Sequence, residues 1–148
     1  MQEIDKNLDD AYVFWIERAV RALRKSKSKL FSELGVNVSV DQWVVLKRLN
    51  ERQGQSQREI AESTFKDPAS ITRTLDVMVK RGFVERRANE ADRRTFEIFL
   101  TIEGESLVNK VLEKAVAYRV TGLDGVSVKD LDHLKKTLNR ISENLESS

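Results

Sequence analysis

The 148-residue sequence predicts a mainly α-helical chain with one small β-hairpin, on three observations. Hydroxyl, acidic and glycine residues bracket short helices; helical periodicity gives way to alternation between Gly82 and Thr101; and long segments with apolar stripes occupy both ends. A chain of ~150 residues buries enough surface to fold without staples, so one domain over residues 1–148 is expected. Hydrophobic residues make up 40% and charged residues 34%, with a formal net charge of only +2, so any argument for a charged partner rests on where the charges lie. The sequence has no cysteine, which excludes disulfides, thiolate metal sites and thiol-based redox sensing within it. Met1 to Leu8 mixes Glu3, Asp5 and Lys6 with isolated apolar residues and lacks the apolar core of a signal peptide. No run approaches the ~18 apolar residues of a membrane span, and a cytoplasmic protein with no membrane partner is expected.

The first helix is expected from about Leu8 to Leu34, because Leu8, Ala11, Trp15, Ala19, Ala22 and Leu30 recur at helical spacing and Gly35 follows. Ser39 with Gln42, and Ser56 with Glu59, match the capping box in which each side chain satisfies the other residue's orphan amide. Gly54 closes the first of these two helices. Asp67-Pro68 supplies a capping carboxylate and a proline at the first helical position, starting a helix over 68–81 that stops at Gly82. Phe96, Ile98 and Leu100 then alternate with Thr95, Glu97 and Phe99 as in a half-buried strand, with Phe83 to Arg87 as partner and the polar run Ala88 to Arg94 as the turn. Thr101 with Glu103 and Glu105 caps a helix to about Tyr118, a break follows at Thr121 to Val126, and Ser127 with Asp130 starts the last helix. Val128, Leu131, Leu134, Leu138, Ile141 and Leu145 form a narrow apolar stripe on it. Terminal helices over 8–34 and 101–146, flanking a compact lobe over 39–100, are expected to meet a second copy around a twofold axis.

The helix over 68–81 carries the chemistry. At about 100° per residue, Ile71, Leu75 and Met78 share one side, with Thr74 and Val79 at its margins. Ala69, Arg73, Asp76 and Lys80 lie opposite, flanked by Ser70 and Thr72. Small residues that allow close approach, hydroxyls for phosphates or base edges, and an arginine able to grip guanine are what reading a DNA major groove requires; an ordinary solvated helix face is the alternative. Asp76 is spaced to pair with Arg73 and Lys80 within the helix. Arg86, Arg87, Arg93 and Arg94 decorate the hairpin, where Asp92 is placed to lock the turn while a guanidinium enters a minor groove. Ser56 has two readings, as a structural cap or as a phosphate contact at a helix amino end, and the cap is preferred. The basic run Arg18, Arg21, Arg24, Lys25, Lys27 and Lys29 reads as a solvated helix face in preference to a second DNA surface.

Gln42-Trp43-Val44-Val45-Leu46, Glu59-Ile60-Ala61, Ala69-Ser70-Ile71-Thr72-Arg73, Lys80-Arg81-Gly82-Phe83-Val84-Glu85-Arg86 and Asp92-Arg93-Arg94 through Leu100-Thr101-Ile102-Glu103-Gly104 resemble, in that order, the multiple-antibiotic-resistance regulator (MarR) family of winged helix-turn-helix transcription factors. The resemblance implies a homodimer joined by its terminal helices, bound to double-stranded DNA at an imperfect palindrome. Recognition helices over 68–81 would occupy successive major grooves, and wings over 84–100 the adjoining minor grooves. It implies DNA contacts at Ser70, Thr72 and Arg73 and a wing contact at Arg94 with Asp92 orienting it, while Arg93 either joins them or faces the protein; Lys80 on the outward helix face and Ser56 at the start of the preceding helix are further candidates by position alone. It also implies a repressor released by a small aromatic effector, for which Tyr12, Trp15, Phe31 and Trp43 are candidate lining residues; plain core or dimer packing is the other reading of these aromatics.

Enzyme chemistry finds no support, since the sequence offers no cysteine nucleophile, no histidine pair, no glycine-rich phosphate loop and no clustered carboxylate motif. His133 is the only histidine, too few for a zinc site, and no cofactor is expected. A winged-helix module that binds protein and not DNA is the alternative function.

Overall fold

The computed structural model describes residues 6–148, so Met1–Asp5, part of the segment read as lacking a leader, lie outside the described residues. The helices are α1 (Tyr12–Glu33), α2 (Val40–Glu51), α3 (Gln57–Thr64), α4 (Pro68–Lys80), α5 (Ile102–Gly122) and α6 (Val128–Glu146). The strands are β1 (Gln55–Ser56), β2 (Val84–Ala88) and β3 (Phe96–Leu100). A mainly helical chain with a small wing is thus what forms. It divides into two compact units, Met1–Lys114 and Ala115–Ser148.

The caps act where the sequence places them. Ser39 and Ser56 each close a full capping box, Asp67 accepts from the Ser70 amide with Pro68 opening α4, and Ser127 accepts from the Asp130 amide. Three boundaries differ from expectation. α2 stops at Glu51 with Arg52 extended, so Gly54 stands beyond its end. A 3-10 turn over Leu8–Asp10 precedes α1, which starts at Tyr12, because Ala11 is extended and the Trp15 indole donates to the Asp9 carbonyl at 2.7 Å. At the other end α5 continues to Gly122, because the Thr121 hydroxyl donates back to the Ala117 carbonyl at 3.0 Å and so does not interrupt the helix. The chain turns at Gly125, where φ is +75.

β3 pairs antiparallel with β2, Val84 opposite Leu100 and Ala88 opposite Phe96. On its other edge it pairs with β1, a strand the sequence does not announce, since Gln55 and Ser56 become extended only by bonding to Ile98 and Glu97. Buried Gln55 donates its side-chain amide to the Arg52 carbonyl just past α2 at 2.6 Å, and at 3.3 Å to the Arg48 carbonyl, which also accepts the Arg52 amide. Phe96 stays exposed near the hairpin tip, beyond the reach of the core, so only Ile98 and Leu100 of the alternating residues are buried.

The core of the first unit joins Val45, Leu46 and Leu49 of α2, Ile60 of α3, Ile71, Leu75 and Met78 of α4, Val84, Ile98, and Val108 and Val111 of α5. Each such side chain contributes about 1.5–3 kcal/mol by leaving water. α1 buries only Leu30 and Phe31, while Tyr12, Val13, Trp15, Val20 and Leu23 lie exposed. In the second unit α6 buries nothing, and Leu134, Leu138 and Leu145 are open to solvent. No helix among the described residues is long and apolar enough to cross a membrane.

The start of α5 is clamped on the wing. Thr101 donates its amide to the Phe83 carbonyl at 3.1 Å and its hydroxyl to the Gly82 carbonyl at 2.6 Å. A Cβ on Gly104 would stand 2.1 Å from the Phe83 carbonyl oxygen, so glycine there is a condition of this approach. Gly104→Ala is therefore expected to cost at least about 2 kcal/mol. Gly122→Ala, where a Cβ meets nothing within 4 Å, should change stability by less than about 0.5 kcal/mol. Urea melts at equal protein concentration check both, and an unaffected Gly104→Ala would contradict the clamp.

Candidate nucleic-acid interface

α3 and α4 are joined by three residues, Phe65, Lys66 and Asp67, and form a helix-turn-helix. Ile71, Leu75 and Met78 face inward and are fully buried, which turns Ala69, Thr72, Arg73, Asp76 and Lys80 outward. Val79, expected at the buried margin, is exposed with Val77. Ser70 is half-buried, its amide committed to the Asp67 cap at 2.9 Å. The Thr72 hydroxyl donates to the Pro68 carbonyl at 3.0 Å and accepts from the Gln57 side chain at 3.2 Å.

Asp76 departs from expectation. It pairs with neither Arg73 nor Lys80 but with Arg86 on β2, whose Nη2 lies 2.6 Å from its carboxylate. Arg86 also donates through Nε to Gln57 Oε1 at 3.0 Å. Gln57, Thr72, Asp76 and Arg86 therefore connect α3, α4 and β2, and Arg86, read from sequence as wing decoration, is a largely buried strut. β2 packs on α4, and this tertiary contact brings the Arg86 guanidinium to Asp76. Arg73 and Lys80 make no ion pair or hydrogen bond among the described residues, so Arg73 offers its full fork of donors outward.

The wing is held by its own hydrogen bonds. Asn89 Oδ1 accepts from the Ala91 and Asp92 amides at 2.8 and 3.2 Å, and the Asn89 amide donates to the Thr95 carbonyl at 3.0 Å. Asp92 accepts from both the Arg94 amide and its Nε at 3.1 Å. The Arg94 guanidinium, and after it the Arg94 amide, hold the Asp92 carboxyl below the usual carboxylate range. Arg94 is nonetheless 91% exposed, a cation aimed outward from a fixed base. Arg93 is exposed beside Ala88, Asn89 and Glu90. Arg87 is turned back, stacked 4.1 Å over the Phe99 ring and paired with Glu85.

The other side of the helix-turn-helix is pinned by Asp41 of α2, which takes Lys66 at 2.7 Å and Arg24 of α1 at 3.4 Å. The hydrogen bond from Lys66 is the main reason the Asp41 carboxyl sits below its ordinary range. Lys27 is partly buried and shifted down, first by that burial and then by Lys47 and Arg24, so this member of the basic run is not wholly solvated.

Ser56 is the cap of α3, accepting from the Glu59 amide at 3.1 Å. Phe31 and Trp43 are buried against each other with ring centroids 6.0 Å apart, whereas Tyr12 and Trp15 lie exposed at the start of α1. Sequence reasoning missed Gln57 and the inward role of Arg86, since Gln57 and Asp76 stand 29 and 10 residues from Arg86 and no local spacing marks the set.

A profile of the MarR family matches residues 38–96. The organic hydroperoxide resistance transcriptional regulator of Bacillus subtilis is 27% identical over 138 residues, 93% of this chain and 91% of its own length. CouR from Rhodococcus jostii RHA1, solved with p-coumaroyl-CoA, superposes with a TM-score of 0.80 at 25% identity, covering 93% of this chain and 95% of that one. A variant of MarR from E. coli, solved with operator DNA, shares the fold at a TM-score of 0.77 and 20% identity, over 86% of this chain and 90% of its own.

A double-mutant cycle on Asp76→Ala and Arg86→Ala is expected to return a coupling of about 0.5–1 kcal/mol in chemical denaturation, modest because the carboxylate is more than half exposed. Additive losses would mean that the strut carries no energy.

Proposed function

We propose that this chain, whose residues 38–96 match a profile of the MarR family and fold as a winged helix-turn-helix, is a sequence-specific double-stranded DNA-binding transcriptional regulator: a dimeric repressor, acting in the cytoplasm, that an effector releases from its operator. The observation that carries this reading is Arg73, outward on α4 and unpaired among the described residues, beside a wing whose tip is held by its own hydrogen bonds. An exposed guanidinium on a helix narrow enough for the major groove binds guanine O6 and N7 bidentately, with Ala69 small enough to let the backbone approach. Thr72 and Ser70 flank it for phosphate contact, and Lys80 adds charge at the far end. Arg94 enters the minor groove, with Asp92 fixing its base and Arg93 beside it. Ser56 serves as the α3 cap, its helix amino end directed to the backbone.

The relatives support the same class. The Bacillus subtilis relative is a transcriptional regulator, the MarR variant was solved on operator DNA, and CouR was solved with p-coumaroyl-CoA. An aromatic effector is accordingly the class proposed here. Tyr12 and Trp15 present exposed rings to it, with Phe31 and Trp43 in the core behind α1's far end. Its signal is not thiol oxidation, as the sequence has no cysteine. Dimerisation through the terminal helices is supported by the exposed stripes of α1 and α6, which an isolated chain leaves in water.

Arg94→Ala is expected to weaken binding to all sequences alike and to lower the salt slope by about one. Arg73→Ala should weaken binding and also relax base choice at one position per half-site, by about 1–3 kcal/mol of discrimination. Half-sites should lie ~10 base pairs apart. Fluorescence anisotropy against selected and scrambled duplexes at several salt concentrations checks these outcomes; two variants that bind as the parent does would favour a protein-binding winged helix instead. In light scattering the free protein should give twice 17.0 kDa, and a monomer at micromolar concentration would contradict the assembly.

A further inference from the structure

The turn between α3 and α4 holds a side chain that the fold does not need. Phe65 ends α3 at φ 55 and ψ 38, the left-handed region, and no other non-glycine residue among those described has a positive φ. A bulky residue is strained in this conformation, and glycine is the usual occupant at a helix end of this shape. The ring gains nothing in return from the core, for Phe65 is 89% exposed. Both terms would favour glycine, so a third term is needed to account for phenylalanine.

The backbone holds the ring out. Lys66 donates its amide to the Ala61 carbonyl at 3.0 Å and its ammonium to Asp41 at 2.7 Å, and Asp67 is committed to capping α4. Phe65 is three residues before Pro68, so its Cα lies within about 11 Å of the first residue of α4. That distance is about three base steps along a DNA strand. Its neighbours in sequence are polar or charged, Thr64 on one side and Lys66 and Asp67 on the other. A protein partner of ordinary size needs a broader apolar centre than one ring. The apolar group that a base pair presents in the major groove is the C5-methyl of thymine.

We propose that Phe65 is a specificity-determining residue that packs against a thymine methyl at the edge of each half-site. The inference rests on the DNA-binding function proposed above and adds a second base contact, apolar in kind, next to that of Arg73. The strain of the left-handed turn is then offset only when the operator is bound.

The test begins with operator selected by the wild-type dimer from random duplexes. Phe65→Gly should leave the free protein's Tm unchanged or raised, since glycine relieves the turn, while operator affinity falls about tenfold, the size of one lost base contact. Replacing thymines one at a time by deoxyuridine removes only the methyl. One position per half-site should then weaken the wild type several-fold and leave Phe65→Gly unaffected. Wild-type operator affinity in Phe65→Gly, or a loss of affinity with no thymine to which the variant is blind, overturns the contact. A wild type that selects no DNA overturns the functional reading beneath it as well, so the two failures are distinguishable. Because the deoxyuridine series is read on the wild-type protein, it stands even if the variant folds poorly.

Discussion

Ile71, Leu75 and Met78 are completely excluded from solvent. Since a helix turns about 100° per residue, their burial leaves no freedom in where Ala69, Arg73 and Asp76 point. The seam these three make with α2, α3 and β2 is the constraint on which the interface depends. It holds α4 at a fixed roll, and the roll decides which donors face outward. Deleting one of these side chains would disturb recognition without touching a single exposed group.

Charge is arranged more by pairing than by abundance. With a net charge of +2 the molecule is no basic rod. Its acids consume many of its cations: Asp76 takes Arg86, Asp41 takes Lys66 and Arg24, and Glu85 takes Arg87. Arg73 and Lys80 have no ion-pair or hydrogen-bond partner among the described residues, and Arg94 is held by Asp92 while still open to solvent. Exposed pairs of this sort contribute little stability, about 0–1 kcal/mol each. Their effect is positional, since each paired cation is withdrawn from the set that can meet phosphate.

The capped helix starts were legible because capping is local, unlike that of α1, which no side chain caps. Ser39, Ser56, Asp67 and Ser127 sit beside the amides they satisfy, within three residues. The end of α5 was not legible, because Thr121 breaks or continues a helix according to where its hydroxyl turns. β1 was invisible for a different reason: two residues carry no periodicity, and only β3 beside them makes them a strand. At the site, the outward face of α4 and the Asp92–Arg94 lock followed from spacing. The partner of Asp76 did not, as intrahelical spacing suggests Arg73 or Lys80 and the sheet supplies Arg86.

Periodicity, caps and turn chemistry are short-range, and they determined the helices, the hairpin and the candidate groove-reading residues before any fold was known. The tertiary structure decided which cations stay free, where the wing stands against α4, and that Phe65 takes a left-handed conformation with its ring in water. These depend on groups brought together from distant parts of the chain, such as Gln57 and Arg86, which packing alone places within hydrogen-bond distance. Local physics chose the parts, and the buried seam beneath α4 set their relative orientation.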